Sequence, residues 1–162
     1  MRRFVLPGGL LLLTKSFLCG VEPRVPAVAL AFTPDGNKLL VGGYREVRVY
    51  SVARGEREST FVCEFPKISA LVFSPDSGTL AVSGGTPGVG GGVNLLQWPD
   101  GKAVGHLTNH ADQAMAVAFN PAATMLASAG ADHIVQVVHW PYSAESAVHG
   151  EPPRKVRRAG QA

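Results

Sequence analysis

Three stretches of this chain, "LAFTPDGNKLLVGG" from Leu30, "LVFSPDSGTLAVSG" from Leu71 and "VAFNPAATMLASAG" from Val117, align without a gap. Tandem repetition constrains the fold more than any single residue does. Each copy must adopt the same local structure and bury the same side chains against its neighbours. The aligned phenylalanines Phe32, Phe73 and Phe119 stand 41 and 46 residues apart, the length of a unit built from four short strands.

The columns of this alignment have physical reasons. They hold Ala29, Ala70 and Ala116; Leu30, Leu71 and Val117; Pro34, Pro75 and Pro121; Leu39, Leu80 and Leu126; and Gly43, Gly84 and Gly130. From Val28 to Phe32 large residues alternate with small ones, so both faces of this strand can be buried, one of them against a close neighbour. Proline then fixes φ, and Asp35 and Gly36 supply a side-chain acceptor and a permissive backbone, so "TPDG" turns the chain into "KLLVGG". The third unit has Ala122 and Ala123 in place of Asp and Gly, which loosens its turn without abolishing it.

A third strand follows in each unit: "EVRVYSV" from Glu46, "GVNLLQW" from Gly92 and "IVQVVHW" from Ile134, with Val47, Val93 and Val135 aligned. "STFVCEF" supplies a fourth strand after the first unit and "AVGHLTNH" after the second. After Trp140, "PYSAESAVHGEPP" has no strand-like run, so the last unit is expected to be incomplete. With 19 glycines, 12 prolines, 46% hydrophobic and 17% charged residues, the composition suits an all-β domain of many turns and excludes a disordered polyelectrolyte.

On these residues the chain resembles the WD-repeat β-propellers, in the "AFSPDG…LASGGAD…VRLW" style common in bacterial members. The resemblance covers about Arg24 to Trp140. It implies a partial propeller of about three four-stranded antiparallel blades over residues 21–143, and a scaffold role, usually without catalysis. It also implies a hydrogen bond between His110 and Asp132, with Ser128 as a further member of the family's buried polar chain. The family's tryptophan would stand where this chain has Val138; Trp140 lies two residues on, and Tyr50 and Leu96 hold the equivalent places earlier.

Outside the repeats, residues 1–20 carry a basic start (Arg2, Arg3), the apolar run Phe4 to Leu13 and the small residue Gly20. These are the three parts of a secretory signal, although Lys15 and Leu18 depart from its usual pattern. The competing reading places "LLLLTKSFL" in the fold as an outer strand, so the sequence leaves export and a cytoplasmic location both open. No apolar run approaches the roughly twenty residues of a spanning helix. Residues 144–162 read as a flexible basic tail, with Arg154, Lys155, Arg157 and Arg158 supplying much of the net charge of +3. Without interleaved aromatics or a basic stripe through the body, nucleic acid is not the expected partner.

The chemical candidates yield no catalytic, cofactor-binding or metal site. His106 and His110 have the spacing of two ligands on a helix, but they lie in a strand-to-loop segment with no carboxylate or cysteine cluster. His133 and His139 read as turn and strand-surface residues. Cys63, in an apolar run, reads as a small buried hydrophobe. "GGTPGVGGG" from Gly84 lacks the lysine, hydroxyl and helix of a phosphate loop. In the second unit Val93 stands 20 positions after Phe73, where in the first Val47 stands 15 after Phe32, and the glycine run is that insertion. Trp98 and Trp140, each followed by proline, read as packing between blades.

Propellers commonly have at least four blades, so three would leave apolar faces open, to be covered by a protein partner, by self-association or by another propeller fragment. The expected function is therefore a non-enzymatic scaffold for protein interaction. The alternative is a fragment of a larger propeller that binds a small molecule, or carries catalysis, once the ring is complete. That alternative calls for convergent polar groups at the inner-strand ends, where only Thr33, Ser74 and Asn120 stand.

Overall fold

The repeats form three separate antiparallel sheets stacked in chain order. The computed structural model describes residues 26–140 and the backbone of 154–156. The segment read as a signal, and the tail apart from 154–156, lie outside the described residues. The first sheet contains β1 (Ala29–Phe32), β2 (Lys38–Gly42), β3 (Glu46–Ser51) and β4 (Arg57–Val62) in that spatial order. The second contains β5 (Lys67–Phe73), β6 (Thr79–Thr86), β7 (Gly90–Gln97) and β8 (Ala103–His110), again in order. The third contains β9 (Ala114–Phe119), β10 (Met125–Gly130), β11 (Val135–His139) and β12 (Arg154–Val156).

The sequence columns become cross-strand pairs. Phe32 lies opposite Leu39, Phe73 opposite Leu80 and Phe119 opposite Leu126. On the next strand Leu40 faces Val49, Ala81 faces Leu95 and Ala127 faces Val137. Register is repeated because a slip by one residue would send every apolar side chain to the opposite face.

One departure concerns the third sheet. Its fourth strand comes from the stretch read as a tail: Arg154 to Val156 pair with Val137 to Val135. Three residues are too few to show strand periodicity, and the intervening segment carries none, so no local pattern signals this pairing.

Two cores lie between the sheets rather than within any of them. The first joins sheets one and two through Leu40, Val47 and Val49 on one side and Leu71, Leu80 and Leu96 on the other. The second joins sheets two and three through Ala81, Val93, Leu95 and Leu107 against Leu126, with Val117, Phe119 and Val138 packed alongside. Strand β5 contacts β1 on one side and β9 on the other, so the first strands of the three sheets run side by side. Trp98 sets its ring edge-on to Phe61 of the first sheet and Phe73 of the second, at centroid distances of 6.0 and 5.3 Å, an arrangement favoured by the aromatic quadrupole.

Candidate functional site

The polar residues of this chain are placed first by turn chemistry. The Thr33 hydroxyl, 4% exposed, donates to Asp35 Oδ1 at 2.5 Å and accepts the Lys38 N–H at 3.0 Å. Ser74 repeats this with Asp76 and Thr79 at 2.5 and 3.0 Å. In the third unit, which lacks the aspartate, Asn120 Oδ1 accepts the N–H groups of Thr124 and Met125, both at 2.8 Å. The turn expected to be loose is thus tied by the residue in the Thr33 and Ser74 column. Hydrogen bonds from Thr33 and from the Asn37 backbone and side chain hold the Asp35 carboxyl down to about 2; those from Ser74 and the Gly78 N–H lower that of Asp76. All three inner-strand polar groups are engaged in turns, and none is left to converge on an axis.

The third sheet carries the polar chain implied by the resemblance. The His110 side chain is fully enclosed and that of Asp132 is 7% exposed. Since a carboxylate only accepts, His110 Nδ1 donates to it, at 3.1 Å to Oδ1, and Nε2 pairs with Ser128 Oγ at 2.9 Å. Burial works to raise the Asp132 carboxyl, yet hydrogen bonds from the Ile134 N–H, His110 and the Ala111 N–H hold it below the ordinary range. Gly130 is required here for space. A Cβ at this position would stand 2.5 Å from both His110 Nδ1 and Asp132 Oδ1. No tryptophan closes the chain: Val138 lies opposite Leu126 in the core. Trp140 donates its backbone N–H to Thr124 O and packs edge-on against Phe119 at 5.5 Å. This triad joins the start of the third unit to its β10–β11 turn, a structural rather than a chemical task.

Three placements had not been read from the sequence. Asp112 Oδ1 accepts the Gly88 N–H at 2.7 Å and the Gln113 N–H at 2.6 Å, so the glycine-rich insertion is moored to the entry of the next blade. Gln113, 3% exposed, donates to Ser69 Oγ at 2.5 Å across the same joint. Buried Asn94 accepts from His106 Nδ1 and donates to Cys63 Sγ at 3.4 Å. Burial pushes the Cys63 thiol up, against a thiolate nucleophile. Asn94 was visible as a polar residue inside an apolar strand; Asp112 had no local signal.

His106 and His110 therefore serve different hydrogen-bond networks. Among the described residues no group of three or more His, Cys, Asp or Glu is placed to hold a metal ion, and no helix is long and apolar enough to cross a membrane. An apolar hollow of about 330 Å³ opens between the first two sheets, lined by Pro26, Val28, Tyr44, Pro66 and Pro87 among others.

The remaining candidate surface is the open side of the first sheet. Leu30 and Phe32 are 63% and 61% exposed. Their column partners in the second sheet, Leu71 and Phe73, pack into the first core, and Val117 and Phe119 pack against the second. The alternation of large and small residues thus has its large side uncovered in the first unit.

A family model described as "WD domain, G-beta repeat" matches residues 101–139, the stretch that holds the His110 triad. "Telomerase Cajal body protein 1" of Mus musculus is 30% identical over 127 residues, covering 74% of this chain and 23% of that protein. The Homo sapiens protein of the same name is 31% identical over 108 residues, covering 62% and 19%. The chain thus spans less than a quarter of the length of these relatives. They are mammalian, so the bacterial style of repeat read from the sequence finds no support in them. The solved structure described as "Structure of U3-55K" superposes with a TM-score of 0.64 at 16% identity, over 74% of this chain and 37% of that one, a likeness of fold. Three stacked four-stranded sheets with one register, the His110 triad and these matches agree: the chain belongs to the WD-repeat β-propeller family.

Proposed function

We propose that this chain is a non-enzymatic scaffold that binds protein through its open blade faces and blade-end loops. The observation that carries the reading is the exposure of Leu30 and Phe32, in columns that the second and third sheets pack against a core between sheets. Apolar surface of that kind on one sheet face marks an interaction site. WD-repeat proteins are generally scaffolds of this sort, and the mammalian relatives, named for telomerase and the Cajal body, suit a role within an assembly.

Protein is favoured over nucleic acid because three basic side chains of the first sheet are neutralised locally. Lys38 pairs with Glu58 at 2.6 Å and Arg48 with Glu46 at 2.5 Å, while Arg54 also reaches Glu58. Affinity capture of the tagged chain from its native source, with partner stoichiometry quantified, tests the proposal. A protein retained by the wild type and lost from a Phe32→Asp variant supports it; nucleic acid retained in a salt-sensitive manner, or no retained protein, refutes it.

A second reading takes a small molecule as ligand, and the apolar hollow of about 330 Å³ beside Tyr44 is the observation in its favour, since its size lies within the range of ligand pockets. Mass spectrometry of the gently purified chain decides for this reading if a stoichiometric small molecule is released on denaturation.

A further inference from the structure

The two ends of the blade stack are chemically matched halves of a joint that this chain already makes twice. At the first joint the side presented by sheet one consists of Ala29, Leu40, Val47 and Val49, all at 4% exposure or less. The same columns in sheet three hold Ala116, Ala127, Val135 and Val137. These lie on the face turned away from the second core, because Ala116 and Ala118 alternate along β9 with Val117 and Phe119, which face it. That outer face is open: Ala116 and Ala118 are exposed, Ala127 and Val137 half-buried, and Val135 is 40% exposed where its equivalents Val47 and Val93 are at 0%.

The opposite half is the open side of sheet one. Leu30, Phe32 and Leu39 occupy the columns that in sheet two, as Leu71, Phe73 and Leu80, are seated on sheet one. Register agrees as well as residue type, since Phe32 pairs with Leu39 as Phe73 pairs with Leu80. Neither open half carries the like half on its own opposite side, so the fit is head to tail and not face to matching face. Joining the three described blades to the same three of a second copy would bring six together, inside the four to eight that propellers adopt.

We infer that two copies of this chain associate head to tail, the outer face of sheet three in each copy seating on the open face of sheet one in the other. The inference deepens the scaffold reading by naming the occupant of its open faces, and it rests on that reading only in taking those faces as binding surfaces. Each joint would continue the contact that Leu40, Val49, Leu71 and Leu80 make within the chain.

The test is the mass of the purified full chain in solution, by light scattering and sedimentation over a micromolar concentration series. Twice the 17.0 kDa of one chain is expected. Phe32→Asp removes one half of the joint and Ala118→Arg the other, both at exposed positions, and circular dichroism checks that each variant keeps its strands. Each variant alone is expected to be monomeric, because every joint then lacks one half. An equimolar mixture of the two is expected to recover a dimer through the single joint that remains intact. A monomeric wild type overturns the inference, and so does a dimer broken by Phe32→Asp but not by Ala118→Arg, which would be a symmetric contact. A mass that grows beyond two copies with concentration overturns ring closure. These readouts use the purified chain alone, so they stand whether or not capture from the native source yields another protein.

Discussion

Ser74 illustrates how a single hydroxyl can hold a repeat together. It is 1% exposed, donates to Asp76 and accepts the Thr79 N–H, so truncation leaves a half-buried amide without its side-chain acceptor. Ser74→Ala is expected to cost about 1–3 kcal/mol, read from the urea midpoint, with the Asp76 carboxyl moving up toward its ordinary range in a carbon-detected titration. The His110 triad gives a second case of the same kind. Ser128→Ala strips a fully enclosed imidazole of one partner and is expected to cost about 1–3 kcal/mol. Gly130→Ala is expected to cost at least as much, because its Cβ collides with His110 and Asp132. Acid should act on these carboxylates together. Asp35, Asp76, Asp112 and Asp132 all have lowered folded values, so the stability they lend is complete above the ordinary carboxylate range. It is lost as pH falls through that range toward the folded values, about 2 for Asp35. A thermal midpoint that is level near neutrality and drops steadily below about pH 4 is the expected profile.

At the scale of one strand or loop, the glycine-rich insertion is the element whose behaviour depends on a residue far from it in sequence. Gly88, at φ 71°, donates its N–H to Asp112 across the joint between the second and third blades. Asp112→Ala removes that mooring without touching either core. Hydrogen exchange at the Gly88 amide is expected to quicken by at least about tenfold while the global unfolding midpoint barely moves. What the sequence disclosed follows the same division between local and distant causes. Strands β1 to β3 and their counterparts were legible because alternation and turn residues are local, and the gapless columns even carried the register of Phe32 with Leu39. Residues 154–156 were not legible as a strand, since three residues show no period and their partner β11 is reached only after a long interval. Among polar residues, the bond from His110 to Asp132 was foreseen through the family pattern, and Val138 correctly stood apart from it. Asp112 and Gln113 were missed, because their partners Gly88 and Ser69 belong to the preceding unit and no short-range motif announces a contact between blades. Thr33, Ser74 and Asn120 stood out in the sequence as the polar residues at the inner-strand ends, too few for a pocket, and the structure uses them to close turns.

Among the described residues the three sheets form a stack in which sheet two alone touches both cores, and that arrangement decides how damage should spread. Leu40, at 0% exposure, fills the first core from sheet one, and Leu126, at 1%, fills the second from sheet three. Replacing either by alanine removes similar buried volume, so each is expected to cost about 2–5 kcal/mol. The distribution of the loss should differ. In a linear stack each unit is stabilised by its own hydrogen bonding and by contacts with nearest neighbours only. Leu40→Ala therefore weakens the hold on sheet one while the joint between sheets two and three stays filled, and Leu126→Ala does the reverse. Native-state hydrogen exchange is expected to show the amides of β1 to β3 opening most in the first variant and those of β9 to β11 in the second. Sheet two should remain the slowest to exchange in both, because in each case it keeps one intact neighbour. An equal rise across all three sheets in either variant would mean that the two cores behave as a single cooperative unit, and the picture of separable joints would have to be given up.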